Sequence, residues 1–285
     1  MSTGLILGFF DGVHKAHRAV IESALKESDN VVLITFKESP AVYFGKSCEY
    51  ILSRENSIKK IKNLGVNEIV ELDFSKIVSL SAEEYIEFLV NKYHPSYIST
   101  GFNHTFGFNK QGNSKFLKEK EKKYHYKYIC TPPVIEDGEI ISSTLIRKYL
   151  SEGKIQKANK LSENNFILEG DVIHGARIGR TIGFPTANIN YPANIVKIPF
   201  GVYAAEVQIA GAEKLRGVMN WGMKPTVNNT NAPVAEVHIL DFNEDIYGKN
   251  IKVEVLRNIR MEKRFNGIED LKVQIKEDIR NCSEL

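Results

Sequence analysis

The 285-residue sequence contains little cysteine, little net charge and no long apolar segment. Its three cysteines, Cys48, Cys130 and Cys282, are an odd and scattered set, which indicates neither a disulfide framework nor a metal site. No apolar segment approaches the roughly 20 residues that a transmembrane helix needs, and residues 1–10 lack the positively charged start of a signal peptide. The sequence therefore favours a cytoplasmic protein with no membrane partner.

The charge balance also argues against nucleic acid as a partner. Lys and Arg number 38 and Asp and Glu 35, so the formal net charge is only +3. The hydrophobic fraction of 42% and the charged fraction of 26% are ordinary for a globular protein. At roughly 150 residues per domain, the length predicts about two domains. The sequence leaves the oligomeric state open.

The first half of the chain alternates between two hydrophobic periods, which predict strands and amphipathic helices. The predicted strands cover 5–10, 31–36, 68–72, 97–100 and 126–130, and the predicted helices cover 17–27, 54–63, 82–92 and 113–124. Strands that alternate with helices predict an α/β domain with a parallel sheet, which we place at about 1–155.

The second half lacks the helical period until its end. Strand-like segments, several of them strictly alternating, cover 166–173, 202–209, 214–220, 234–242 and 251–256. Close spacing with Gly and Pro between strands predicts an antiparallel barrel or sandwich at about 160–285. Residues 267–279 predict a closing helix whose apolar face comprises Ile268, Leu271, Ile275 and Ile279.

The segment G-F-F-D-G-V-H-K-A-H (8–17) follows the first predicted strand and opens the first predicted helix. Gly8 and Gly12 permit tight turns there, and a helix N-terminus attracts anions. His14 and His17 lie three residues apart and could stabilise charge on a transferring phosphoryl group. The alternative is that one histidine caps the helix while the other lies on the surface.

Two further segments carry groups suited to a nucleotide and a flat ring. In I-S-S-T-L-I-R (141–147), three hydroxyl residues open a predicted helix and Arg147 could pair with phosphates; plain N-capping is the alternative. In G-F-N-H-T-F-G-F-N-K-Q-G (101–112), Asn103 can present an amide, and Phe106 and Phe108 could form an apolar wall or belong to the core.

The second half contains a glycine-rich loop, G-D-V-I-H-G-A-R-I-G-R-T-I-G-F-P-T-A-N (170–188). Its glycines, Gly175, Gly179 and Gly183, allow phosphates to approach the backbone, and Arg177 and Arg180 add positive charge. Thr186 and Asn188 point to the same side of an extended chain and offer oxygen donors of the kind that Mg²⁺ prefers. The alternative is an ordinary turn followed by a strand.

Glu236 lies within V-A-E-V-H-I-L-D-F (234–242), where Ala235, Val237 and Ile239 alternate with it. A carboxylate with apolar neighbours on a strand is suited to general-base chemistry. An edge-strand glutamate that faces water is the alternative.

The first-half motifs resemble those of the prokaryotic bifunctional riboflavin kinase/FMN adenylyltransferase (FAD synthetase) family. Residues 8–17 are similar to that family's G-N-F-D-G-V-H-x-G-H, residues 101–112 to its G-x-[DN]-F-x-F-G-x-x-x-x-G, and residues 141–147 match its I-S-S-T-x-I-R. The resemblance implies a Rossmann-like nucleotidyltransferase domain that transfers AMP from ATP to FMN. The implied catalytic residues are His14, His17 and Arg147. The implied flavin contacts are Asn103, Phe106 and Phe108. The implied nucleotide contacts are Gly8, Phe10, Asp11, Gly12, Ser142, Ser143 and Thr144.

The second half resembles the riboflavin kinase domain of the same family, through G-R-T-I-G-F-P-T-A-N, P-F-G-V-Y-A (199–204), N-W-G-M-K-P-T (220–226), A-E-V-H-I-L-D-F and Y-G-K (247–249). The resemblance implies a small Greek-key barrel that phosphorylates riboflavin with Mg²⁺ and ATP. The implied roles are Glu236 as base, Thr186 and Asn188 as metal-nucleotide ligands, and Asn220 as a flavin contact. The glycine-rich loop, including Pro185, would hold ATP.

Several positions depart from these family patterns. Ala16 stands where the family has Gly, Ser39 where it has His, Phe9 where it has Asn, and Trp221 where it has a smaller residue. Since three of these lie in the first half, a kinase with a weakened or inactive adenylyltransferase is one competing interpretation. A non-enzymatic flavin-binding or RNA-binding regulator is the other.

Overall fold

The computed structural model describes residues 2–175, 178–223 and 233–283. The chain divides into two compact units, Met1–Leu145 and Ile146–Leu285. The division falls near the predicted join, and the predicted limits of 1–155 and 160–285 stay predictions.

The first unit is an α/β domain. Its strands are β1 (Thr3–Leu7), β2 (Asn30–Phe36), β3 (Glu68–Leu72), β4 (Tyr97–Gly101) and β5 (Lys127–Thr131), followed by a small hairpin of β6 (Ile135–Glu136) and β7 (Glu139–Ile140). Its helices are α1 (Lys15–Leu25), α2 (Pro40–Tyr43), α3 (Arg54–Asn63), α4 (Ala82–Tyr93) and α5 (Ser114–Tyr124). The five-stranded sheet has the order β3-β2-β1-β4-β5, and every neighbouring pair is parallel. The predicted Rossmann-like sheet is therefore confirmed.

Alternate side chains of the central strands enter two different cores, because successive residues of a strand point to opposite faces. On β1, Leu5 and Leu7 pack with α4 and α5, whereas Ile6 packs with α1 and α3. Burial on both faces explains why these strands are almost uniformly apolar. The strand order reverses between β1 and β4, and the crevice at such a point is where open α/β sheets bind ligands.

The second unit is a closed antiparallel barrel of six strands among the residues described. These strands are β8 (Phe166–Ile173), β9 (Ala187–Asn190), β10 (Gly201–Ile209), β11 (Lys214–Met223), β12 (Pro233–Ile239) and β13 (Asn250–Met261). The accompanying helices are α6 (Ser143–Ser151), which crosses the division, α7 (Ile155–Ser162), α8 (Ile178–Thr181) and α9 (Ile268–Ser283). Strands β10, β11 and β12 are neighbours in sequence, and β13 returns beside β10, which is Greek-key topology and confirms the prediction.

Helix α9 is held on the barrel by arginine hydrogen bonds and by an apolar cluster that includes Ile279 and Cys282. Arg260 donates to both oxygens of the buried Asp278 at 2.9 and 3.1 Å, and Arg216 donates to the Ser283 carbonyl at 2.7 Å. The predicted apolar face was wrong at its first member, because Ile268 is 58% exposed. The helix begins there, whereas its buried side chains, Asp278 and Cys282, lie near its end.

Candidate functional site

A cavity of about 400 Å³ lies at the carboxyl ends of β1 and β4 in the first unit. Most of the residues predicted for the adenylyltransferase site line it: Gly8, Phe10, His14, His17, Asn103, Ser142, Ser143 and Thr144. The sheet topology brings three distant sequence motifs to this one edge, as expected where the strand order reverses.

His14 and His17 form a stacked pair at the N-terminus of α1. Their ring centroids are 3.6 Å apart and their planes 16° apart. His14 is the N-cap, since its Nδ1 accepts from the His17 amide at 3.4 Å. The alternative that one histidine caps the helix is therefore correct for His14. His17, which that alternative placed on the surface, lines the cavity together with His14. Two imidazoles at a helix N-terminus form a site suited to anionic oxygens.

Ser143 joins the second motif to the first. Its hydroxyl donates to the Asp11 carbonyl at 3.0 Å, and its Oγ lies 3.2 Å from His14 Nε2. Because the hydroxyl proton goes to Asp11 and Nδ1 of His14 accepts, we assign the His14 proton to Nε2, which donates to Ser143. Ser142 caps the helix by accepting from the Leu145 amide at 3.2 Å. Ser142 therefore both caps the helix and lines the cavity.

The turn between β1 and α1 has an unusual backbone. Phe10 has φ of 61° and Val13 has φ of 45°, values that are rare for residues with a side chain, above all for a β-branched one. Gly12 has φ of 81°. Asp11 is 5% exposed, and its carboxylate accepts from the Ile51 amide at 3.0 Å. These contacts fix the loop that carries His14, and strain of this kind is concentrated at functional sites.

Not every predicted flavin contact reaches the cavity. Asn103 is among its lining residues. Phe106 is 8% exposed and packs in the core with Tyr85 and Phe116, so the core alternative describes its placement. Phe108 is 49% exposed and is not a lining residue. Arg147 lies on α6 in the second unit. The roles of all four stay predictions.

The departures from the family pattern differ in their surroundings. Ala16 and Phe9 line the cavity, and the Phe9 ring lies near both the Tyr50 ring and the Arg54 guanidinium. Ser39 is the N-cap of α2, accepting from the Ala41 amide at 3.3 Å.

Sequence reasoning missed His104, another lining residue. It stands where the similar family motif has Phe, and that comparison was the available signal.

The second candidate site lies on three adjacent strands of the barrel. Glu236 on β12 is directly opposite Asn188 on β9 and Asn220 on β11. Directly opposite residues of an antiparallel pair have Cβ atoms about 5 Å apart on the same face. Ala235 and Val237 are fully buried on the other face, as the alternation predicts. A carboxylate and two amides are thus held side by side.

The glycine-rich loop packs onto this group of side chains. A Cβ at Gly175 would lie 2.4 Å from Asn188 Nδ2, and one at Gly179 would lie 2.3 Å from the Phe184 carbonyl oxygen. Gly183 has φ of 90° and closes the turn after α8. Gly175 and Gly179 are thus needed for packing against Asn188 and Phe184, and Gly183 for its positive φ, whereas the predicted approach of phosphates to these glycines stays a prediction. Arg177 lies outside the described residues.

A cavity of about 290 Å³ lies beside the loop, and Arg180, Pro185 and Thr186 are among its lining residues. His238 on β12 fixes this part of the loop, since its Nδ1 lies 2.8 Å from the Pro185 carbonyl oxygen. Thr186 thus faces a cavity, whereas Asn188 is 5% exposed beneath Gly175. The Thr186 hydroxyl and the Asn188 amide oxygen are of the type that binds Mg²⁺, although only Thr186 is among the lining residues of this cavity.

Comparison with known proteins assigns each half of the chain to a family. A model of riboflavin kinase matches residues 162–285, and a model of FAD synthetase matches residues 2–145. The bifunctional riboflavin kinase/FMN adenylyltransferase of Haemophilus influenzae is 35% identical over 283 residues, covering 96% of this chain and 91% of that protein. The chain belongs to this bifunctional family.

Other members of the riboflavin kinase/FMN adenylyltransferase family show the same relationship. The Bacillus subtilis protein is 34% identical over 286 residues, covering 96% of this chain and 89% of its own. A solved structure described as a macrolide-efflux protein from Streptococcus pneumoniae matches with a TM-score of 0.91 and 33% identity, covering 100% of this chain and 94% of that one. Within the described residues, no helix is long and apolar enough to cross a membrane.

Proposed function

We propose that this protein makes FMN from riboflavin in its barrel and FAD from FMN in its α/β domain, consuming ATP in both steps. The observation that carries the proposal is that each unit holds its own constellation: His14, His17 and Ser143 in the first, and Asn188, Glu236 and Asn220 in the second. Both reactions are displacements at phosphorus, in which positioning and electrostatic stabilisation dominate.

In the barrel, the riboflavin 5′-hydroxyl attacks the γ-phosphorus of ATP, and ADP leaves. Glu236 accepts the hydroxyl proton as the new P–O bond forms. The backbone amides of the glycine-rich loop would bind the phosphates, and Arg180, which lines the neighbouring cavity, would add positive charge beside them. Asn220, which lies opposite Glu236 and is exposed, would contact the flavin.

Thr186 and Asn188 would supply the oxygen atoms that hold a magnesium ion with its nucleotide. Such an ion would neutralise charge on the ATP phosphates. The close packing of Gly175 on Asn188 fixes the amide in one position, as a ligand group requires.

In the α/β domain, a phosphate oxygen of FMN attacks the α-phosphorus of ATP, and pyrophosphate leaves. His14 and His17 would stabilise charge on the phosphoryl groups, since both line the cavity at a helix N-terminus. Ser142, Ser143 and Thr144 would bind the nucleotide phosphates at the start of α6. Asn103 would contact the flavin. No covalent enzyme intermediate is needed.

The substrates are thus riboflavin, FMN and ATP. Cys48, Cys130 and Cys282 are all free thiols, which supports a reducing compartment such as the cytoplasm.

Product analysis tests the proposed function. The full chain is incubated with riboflavin, ATP and Mg²⁺, and the flavins are separated by chromatography. We expect FMN to appear first and FAD to follow. FMN without FAD at high enzyme concentration would favour the kinase-only interpretation, and unchanged riboflavin would favour a binding protein.

A further inference from the structure

His104 is placed in the wall of the first cavity with one ring nitrogen unsatisfied. It follows β4, next to Asn103, and is one of the lining residues. Its Nε2 atom is buried and has no hydrogen-bond partner. Its ring is nearly parallel to that of Phe106, with centroids 5.8 Å apart and planes 22° apart. The face of the imidazole is thus packed while its polar edge is not paired.

The imidazole is neutral at physiological pH. Loss of solvent around the ring lowers the pKa of His104 to about 4. A neutral imidazole has one N–H donor and one nitrogen acceptor. Because no protein hydrogen bond holds Nε2, the surroundings do not fix which nitrogen carries the proton. Rotation about the bond to the ring is soft for histidine, so a bound molecule can set both orientation and tautomer.

An unpaired buried nitrogen destabilises a fold and is rarely kept without a role. The family motif that residues 101–112 resemble has Phe at this position. A phenyl ring could make the same stacking contact with Phe106 and would leave no polar atom unsatisfied. What the imidazole adds is therefore hydrogen-bonding capacity in the wall of a substrate cavity.

We propose that His104 is a specificity-determining residue that hydrogen-bonds the polar edge of a heteroaromatic substrate ring in this cavity. This inference rests on the proposed adenylyltransferase activity. Two substrates carry such a ring, the isoalloxazine of FMN and the adenine of ATP, and both present ring nitrogens as acceptors with N–H donors nearby. The neutral imidazole can meet either kind of group, and its stacked face would remain on Phe106.

The first test is steady-state FAD formation by the full-length His104→Phe variant. We expect KM for FMN or for ATP to rise about 5- to 10-fold, as one lost neutral hydrogen bond implies, with kcat within about twofold. The substrate whose KM changes identifies the ring. His104→Gln, which keeps a donor and an acceptor, should recover part of the loss. Riboflavin phosphorylation should not change.

The matched control is Tyr93→Phe, which removes a buried, unpartnered hydroxyl outside this cavity in the same domain. Both Phe variants should fold at least as stably as wild type, but only His104→Phe should alter KM. Unchanged KM for both substrates in His104→Phe would overturn the proposal and leave His104 as a packing residue.

A second measurement separates this inference from the proposed function. The imidazole NMR signal of His104, assigned by its absence in His104→Phe, should shift when FMN or ATP is added to wild type. A signal that moves with neither would overturn the role of His104 even if FAD is made. A shift in a protein that makes no FAD would support the contact and contradict only the activity.

Discussion

Gly175 lies directly against the side-chain amide of Asn188, so closely that a Cβ would be 2.4 Å from Nδ2 and 2.6 Å from Oδ1. Asn188 is 5% exposed and cannot move aside easily. The relationship links the glycine-rich loop to the strand that carries the proposed magnesium ligand. It explains why a glycine is needed at a position whose backbone has no positive φ.

We expect Gly175→Ala to slow FMN formation by about tenfold or more, because displacing Asn188 disturbs the bound nucleotide. FAD formation from supplied FMN should be unchanged. The matched control is Gly267→Ala, since nothing lies within 4 Å of a Cβ there. Steady-state rates of riboflavin phosphorylation measure the effect. A fully active Gly175→Ala would show that Asn188 need not be held in place.

Helix α7 should add to the stability of the barrel. Ile155 and Ala158 are 1% exposed, and Asn159 donates to the Val255 carbonyl at 2.9 Å and accepts from the Phe166 amide at 2.8 Å. We expect residues 153–285 and 160–285 both to fold and phosphorylate riboflavin. The shorter fragment should be less stable by about 2–4 kcal/mol, since it lacks buried side chains and the three hydrogen bonds of the Asn159 side chain.

Urea unfolding followed by the fluorescence of Trp221, the sole tryptophan of the sequence, measures that difference. Equal stability of the two fragments would show that α7 contributes nothing to the barrel. An inactive 153–285 fragment beside an active full chain would show that the kinase depends on the first domain.

Glu254 predicts an acid-dependent loss of barrel stability. Burial alone would raise its pKa, but hydrogen bonds from Lys214, Lys252 and Asn165 outweigh burial and lower the pKa to about 2. A lowered pKa in the folded state stabilises the protein above pH 4.5, and this stability is lost as the pH falls towards 2.

We expect Glu254→Gln to destabilise the barrel by on the order of 2–3 kcal/mol at pH 7 and to have a smaller effect at pH 3. Trp221 fluorescence in urea at both pH values reports it. The control is Glu269→Gln on α9, whose side chain is 83% exposed. An equal effect at both pH values would show that packing, not charge, accounts for the loss.

Ala16 offers a test of the adenylyltransferase cavity. It lies in the first turn of α1 and lines the cavity, where the similar family motif has Gly. We expect Ala16→Gly to raise the rate of FAD formation, by roughly fivefold if its methyl group crowds the nucleotide, and to leave FMN formation unchanged.

Adding Ser39→His supplies a side chain that can carry a positive charge but removes the N-cap of α2, so the single and double variants must be compared. We expect the double variant also to form FAD faster than wild type. If none of these variants formed FAD faster than wild type, the presence of Ala16 and Ser39 in place of the family's residues would be neutral in this protein.

The local pattern predicted most elements of the fold. Strand β3 and helix α3 begin and end where the hydrophobic period predicts, because each depends on its own side chains. Strand β9 has only four residues and no periodic signal, so only its extended character was predicted. The Greek-key register that sets Asn188 beside Glu236 depends on contacts between distant strands.

Individual substitutions were harder to interpret from sequence. Trp221 departs from the family pattern, yet it is 1% exposed in the barrel, and its Nε1 donates to the Ile198 carbonyl at 2.9 Å. Trp221 is therefore a core residue whose one polar side-chain atom has a hydrogen-bond partner. His104 is the opposite case, since the absence of a partner for its Nε2 is visible only in three dimensions.

The central claim is that two independent sites work in one chain, and a crossed assay of Glu236→Gln and His14→Asn tests it most directly. Each full-length variant is given riboflavin with Mg²⁺ and ATP, and separately FMN with Mg²⁺ and ATP, and the initial rates of FMN and FAD formation are measured by chromatography. We expect Glu236→Gln to lose at least 100-fold in FMN formation, as loss of a general base implies, and to make FAD from FMN at the wild-type rate. His14→Asn should show the converse. A Glu236→Gln variant that phosphorylates riboflavin near the wild-type rate, or either variant losing both activities while folded, would contradict the account.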